Sequence, residues 1–157
     1  MGQIRSVLFV CTGNSCRSVM AEGLLKKRLK ELGKTGIAVY SAGVRALDGY
    51  PPTIETIEAM QKEGVSLAGF RSTGITDEMI KESDLILVMT EMHKEEVIRR
   101  VPEAAAKTFL LREYGRPSTG EKIMDPDIPD PIGQPALGYK ICLELIKEDI
   151  ERVAEIL

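Results

Sequence analysis

Short, nearly continuous apolar runs alternate along this chain with longer stretches in which apolar residues recur every three or four positions. Ile4–Val10 is the first run and reads as a strand buried on both faces of a parallel sheet. Met20, Leu24, Leu25, Leu29 and Leu32 then fall on one face of a helix, and Gly33 is placed to stop it. Ile37–Tyr40 predicts a second strand, followed by a loop containing Gly49, Pro51 and Pro52. Ile54, Ile57 and Met60 predict a short helix ended at Gly64. Thr76, with Asp77 and Glu78 behind it, marks the start of another. Asp84–Met89 is a strongly apolar strand. Thr90 then caps a helix with Glu91, Glu95 and Glu96 early and Arg99 and Arg100 late, the charge order that complements a helix dipole. Lys107–Leu111 reads as the last strand. Beyond a loop from about Glu113 to Gln134, Cys142, Ile146, Ile150, Val153 and Leu157 line one face of a final helix.

Strands alternating with helices predict an α/β fold: an open parallel sheet flanked by helices on both faces, formed as one domain over residues 1–157. Sheets of this kind bind ligands at the carboxyl ends of their strands, which draws attention to the residues that follow the first one.

Composition narrows the function. Hydrophobic content of 43% and charged content of 29% are ordinary for a soluble globular protein. The net charge of −3 argues against nucleic acid as the main partner. No apolar run approaches the roughly 20 residues of a membrane span, and the N-terminal run lacks the pattern of a signal peptide. The 3 cysteines, Cys11, Cys16 and Cys142, are too sparse for a secreted disulfide framework and point to a reducing cytoplasm. With a single histidine and no clustered thiols, no metal or other cofactor is expected.

The chemistry concentrates in Cys11-Thr12-Gly13-Asn14-Ser15-Cys16-Arg17-Ser18, between the first strand and the first helix. Backbone N–H groups of such a loop and of the first helical turn lack helical partners and converge on one point, which suits an anion. A loop that opens with a thiol and closes with a guanidinium can wrap one phosphate: Thr12, Gly13, Asn14, Ser15, Cys16 and Arg17 would hold its oxygens, and Cys11 would sit beneath the phosphorus. A thiol pKa of about 8.5 falls by one to several units at a helix N-terminus beside an arginine, which makes a nucleophile at neutral pH. Gly13 and Asn14 tolerate the positive φ that a curled loop needs. Ser18 can cap the helix or donate a hydrogen bond to the sulfur. Read more plainly, Cys11 is a small hydrophobe ending a strand and Arg17 a surface charge.

This loop resembles the signature of the low-molecular-weight protein tyrosine phosphatase family. Ser41-Ala42-Gly43 is similar to that family's segment after the second strand, Ser83–Thr90 to its central strand, and Asp130-Pro131-Ile132-Gly133, with Tyr139 following, to its late Asp-Pro loop. The resemblance spans the chain and is closest to the bacterial branch that includes protein-arginine phosphatases. It implies a phosphorylated protein as substrate, inorganic phosphate as product and inhibitor, a phosphocysteine intermediate on Cys11, and Asp130 rather than Asp125 as the general acid. It also implies a supporting network around Asn14, Ser18 and Ser41, and a Cys16 close enough to bond Cys11 on oxidation. Phosphotyrosine-preferring members carry aromatics after Asp-Pro and a bulky aliphatic residue where this chain has Ser15. Ser15 and Ile132 are therefore the expected substrate-selecting positions. Some members carry a histidine just upstream of the Arg71 region, where none stands here, and residues Glu121–Asp127 are extra.

The other candidates carry less. His93 sits among charged neighbours and reads as a surface residue. Cys142 lies on the apolar stripe of its helix and reads as core. Lys26, Lys27, Arg28 and Lys30 read as a solvated face. Two rival functions stay open beside a cysteine-dependent phosphatase. Arsenate reduction on the same fold needs a relay of further thiols, and Thr76–Arg100 contains no cysteine. A non-enzymatic anion-binding module is the other.

Overall fold

The computed structural model describes residues 2–117 and 123–157 and is built on four parallel strands. The strands are β1 (Ser6–Cys11), β2 (Ala38–Gly43), β3 (Leu85–Val88) and β4 (Thr108–Leu110), in the spatial order β2-β1-β3-β4. The order reverses beside β1, so the crevice at its carboxyl end is the one where an open α/β sheet takes a ligand. Glu121 and Lys122 of the extra stretch lie outside the described residues.

Burial explains why the strands read as apolar runs. Val7, Phe9 and Cys11 of β1 join Leu85, Leu87 and Met89 in one core layer, while Leu8 and Val10 join Ile86 and Val88 in the other. Alternate side chains of a pleated strand point to opposite faces, and here both faces are covered. The first layer packs against α1 (Arg17–Glu31), α2 (Ile54–Lys62) and α5 (Ala136–Ile156). The second packs against α3 (Asp77–Glu82), α4 (Glu91–Arg100) and a short 3₁₀ helix, Pro102–Lys107, that the hydrophobic pattern does not predict. The start signals at Thr76 and Thr90 hold, each accepting a backbone N–H at the start of α3 and α4, and Thr53, which the sequence reading did not single out, does the same for α2.

The boundaries differ from expectation for local reasons. β1 starts at Ser6 rather than Ile4, where the Asp84 carboxylate takes the N–H groups of Arg5 and Ser6. β2 runs on to Gly43 because it stays in register with β1 as far as Cys11. Leu32 follows the last turn of α1 and is exposed rather than facing the core. The basic residues of α1 are tied locally, Lys26 to Glu22, Lys27 to the Glu63 carbonyl and Arg28 to Glu151. At the far end of the sheet the buried Asp149 of α5 receives Arg152 and Arg116, which fastens α5 to the segment after β4.

Candidate active site

β1 ends at Cys11 and α1 begins at Arg17, so the intervening loop is short and tightly held. Its carbonyls are drawn outward: Val44 and Arg45 donate to the carbonyls of Cys11 and Thr12 at 2.9 Å, and Thr53 donates to that of Ser15 at 3.2 Å. Among the described residues, the N–H groups of Gly13, Asn14, Ser15, Cys16 and Arg17 find no protein acceptor. The start of α1 has no side-chain cap either, which leaves the positive end of its dipole open. The left-handed residue is Asn14, at φ 51°; Gly13 is not among the positive-φ residues. Gly43 is needed for space. A Cβ there would strike the Thr12 carbonyl and lie 2.8 Å from the Asn14 nitrogen.

A directional hydrogen-bond chain runs beneath the loop. The Thr73 N–H donates to Asn14 Oδ1 at 2.8 Å and so fixes which way the amide faces. Asn14 Nδ2 then donates to both Ser18 Oγ and Ser41 Oγ, each at 2.9 Å. Ser41 passes its proton to Glu22 Oε1 at 2.6 Å. Ser18, having accepted from Asn14, can aim its own proton at Cys11 Sγ, 2.8 Å away. Of the two roles expected for Ser18, the structure thus favours the sulfur contact. Asn14 and Ser18 are fully buried, so each of these bonds answers a group that water cannot reach. Thr73 and Glu22 extend the expected network around Asn14, Ser18 and Ser41.

Arg17 is buried and reaches toward the late loop. Its Nη1 donates to the Ile128 carbonyl at 2.9 Å, and its Nη2 stands 3.6 Å from Asp130 Oδ2. Asp130 also accepts the Ile132 N–H at 3.0 Å, and its side chain is 44% exposed. Asp125 instead accepts from the Asp127 N–H, and Asp127 holds the loop to α4 by accepting the Glu91 N–H at 2.9 Å. Ser15 lies half-buried on the loop and Ile132 is more than half exposed. Cys16 is buried, its sulfur 3.4 Å from Thr53 Oγ1 and 4.0 Å from the Tyr139 hydroxyl. Cys142 is core, and burial pushes its thiol up to about 12.

A thiol beside a ring of free N–H groups, a buried guanidinium and a carboxylate across the opening can do nucleophilic chemistry on a phosphate. A family model described as low molecular weight phosphotyrosine protein phosphatase matches residues 6–157. The chain belongs to this family. This phosphatase is 37% identical over 149 residues to a protein-arginine-phosphatase of Geobacillus stearothermophilus, covering 95% of this chain and 93% of the relative. It is 38% identical over 133 residues to the low molecular weight protein-tyrosine-phosphatase Etp of Escherichia coli, covering 83% and 81%. Among solved structures, the YwlE arginine phosphatase, as a mutant with a phosphorylated active-site serine, superposes with a TM-score of 0.86 at 33% identity, over 97% of this chain and 95% of that one.

Beside the loop of this phosphatase, the sequence misplaces a polar residue. His93 is fully buried rather than on the surface. Its Nε2 lies 2.8 Å from Thr12 Oγ1, and its Nδ1 faces Thr90. Burial and the nearby Arg17 charge lower its pKa to about 4, with Asp130 opposing. The available signal was the spacing Thr90-x-x-His93, in which the third helical residue turns back onto its own cap.

Proposed function

We propose that Cys11 is the nucleophile of a protein phosphatase whose general acid is Asp130. The observation that supports this is that Cys11 opens a loop whose N–H groups from Gly13 to Arg17 have no protein acceptor among the described residues, while Arg17 at its end reaches Asp130. The Cys11 thiolate attacks phosphorus, and the bond to the leaving oxygen or nitrogen breaks as Asp130 gives that atom its proton. Arg17 and the N–H groups of Thr12 to Arg17 hold the equatorial oxygens as charge builds on them. Water then attacks the phosphocysteine, Asp130 takes a proton from it, and inorganic phosphate leaves with the thiolate restored. That phosphate fits the same cradle and acts as a product inhibitor.

The substrate is a phosphorylated protein, with phosphoarginine favoured over phosphotyrosine. Arginine and tyrosine phosphatases are similar to this chain to nearly the same degree, so the local residues carry the preference. Ser15 offers a hydroxyl where a bulky aliphatic residue would wall a ring, and Ile132 and Gly133 provide no aromatic face. Sparse free cysteines support a cytoplasmic protein, the acidic net charge supports a role without nucleic acid, and no described helix is long and apolar enough to cross a membrane. The whole described chain serves one phosphatase domain. In Cys11→Ser, turnover should vanish while thermal unfolding stays near wild type. Rapid quench of wild type with labelled substrate should trap a phosphocysteine. Turnover retained in Cys11→Ser would overturn the mechanism.

A further inference from the structure

His93 is buried on α4, the mechanism above does not use it, and its two ring nitrogens face different parts of the molecule. Nδ1 accepts the Thr90 N–H at 3.2 Å, which closes the cap of α4. A neutral ring that accepts at Nδ1 carries its proton on Nε2. That proton points at Thr12 Oγ1, 2.8 Å away. The ring is neutral at physiological pH, because burial and Arg17 lower its pKa to about 4.

Thr12 is the first residue of the loop beyond Cys11 and is therefore held from two sides. Its carbonyl takes the Arg45 N–H from the β2 side, and its hydroxyl takes His93 from the β3–α4 side. Among the described residues, Asn14, farther along, is tied by its side chain toward α1, β2 and the Thr73 segment. The His93 contact is thus what fastens the leading end of the loop to α4. We propose that His93 is a positioning residue: through Thr12 it fixes the leading end of the phosphate loop, so that the loop's N–H groups stay aimed at one anion. The proposal rests on reading the loop as a phosphate cradle.

The test is inorganic phosphate affinity, measured by titration calorimetry on the full chain. In His93→Asn the side-chain oxygen can still accept the Thr90 N–H, but the shorter side chain does not reach Thr12. Phosphate affinity should fall about 3- to 10-fold, the order of one net hydrogen bond, with thermal unfolding close to wild type. Thr12→Val should give a similar loss, and the double variant should lose no more than either single one, because both remove the same tie. Wild-type affinity in His93→Asn would overturn the proposal, as would losses that multiply in the double variant. If His93→Asn does not fold, Thr12→Val decides alone, and an unchanged affinity there overturns the proposal. A wild type that binds no phosphate would instead overturn the cradle reading, and this proposal with it.

Discussion

Arg17 Nη2 stands 3.6 Å from Asp130 Oδ2, while Nη1 of the same guanidinium donates to the Ile128 carbonyl two residues upstream. One buried arginine therefore spans the phosphate loop and the loop that carries Asp130. Its planar fork can hold both at a fixed separation, which a lysine could not do.

If Asp130 protonates the leaving group, its removal should matter most when that group is a poor one. Asp130→Ala should lower kcat by about 10²–10⁴ with phenyl-type leaving groups and by much less with nitrophenolate. Asp125→Ala, which loses only a local turn contact, should stay near wild type on both. A larger loss in Asp125→Ala, read from the same pair of substrates, would overturn Asp130 as the acid.

On the proposed reading, Ser15 sets the preference between substrates. Ser15→Ile should move the ratio of kcat/KM for matched phosphoarginine and phosphotyrosine peptides toward phosphotyrosine. A wild type that strongly prefers phosphotyrosine, with a ratio that Ser15→Ile leaves unmoved, would leave a plain tyrosine phosphatase.

Gly43 lies against the loop it supports. Gly43→Ala drives a methyl into the Thr12 carbonyl, with Ala46 Cβ and the Asn14 nitrogen both 2.8 Å from it. Backbone has to shift, so the variant should lose at least about 1–3 kcal/mol of stability, as overpacking does, and lose phosphate binding together with activity. Denaturant unfolding and phosphate inhibition measure the two effects separately.

The buried His93 makes stability depend on pH. Its pKa of about 4 lies below the ordinary value near 6.5, so in this window the unfolded chain binds the proton first. Stability from this group is complete above about pH 6.5 and drains as pH falls toward 4. The charged groups that act on the ring are Arg17, which depresses its pKa further, and Asp130, which opposes. In His93→Asn the slope of unfolding free energy between pH 6.5 and 4 should flatten, as followed by denaturant unfolding across that range.

Oxidation should be reversible only with both loop cysteines present. The family resemblance implies that Cys16 can bond Cys11, and both are buried free thiols. Peroxide should inactivate the wild type and a thiol reductant should restore it. In Cys16→Ser the loss should become permanent as Cys11 climbs the oxidation ladder. Equal recovery of both proteins would remove the protective role.

The fold was legible because strands buried on both faces must be apolar throughout, as β1 and β3 are, and because threonine caps mark α3 and α4. The phosphate loop was legible because its thiol and guanidinium stand at a fixed spacing. Residues that act through register or burial were not legible. Gly43 matters because it pairs with Cys11 across two strands, which no local pattern reveals. Glu22 takes the Ser41 proton from one turn beyond Ser18, where it reads as an ordinary surface acid. His93 lies beside Lys94, Glu95 and Glu96, whose charge hides that it shares a buried side of α4 with Val97.

Asn14 divides the hydrogen-bond chain, and its Nδ2 has to face both serines. Replacing that NH₂ by an oxygen changes shape hardly at all, yet it turns two donors into acceptors. Ser18 and Ser41 would then point their protons at residue 14, leaving the Cys11 sulfur and Glu22 without theirs. Spontaneous hydrolysis of this one side-chain amide would make that exchange. The order of donors in the loop, and not its outline, therefore hangs on this one nitrogen.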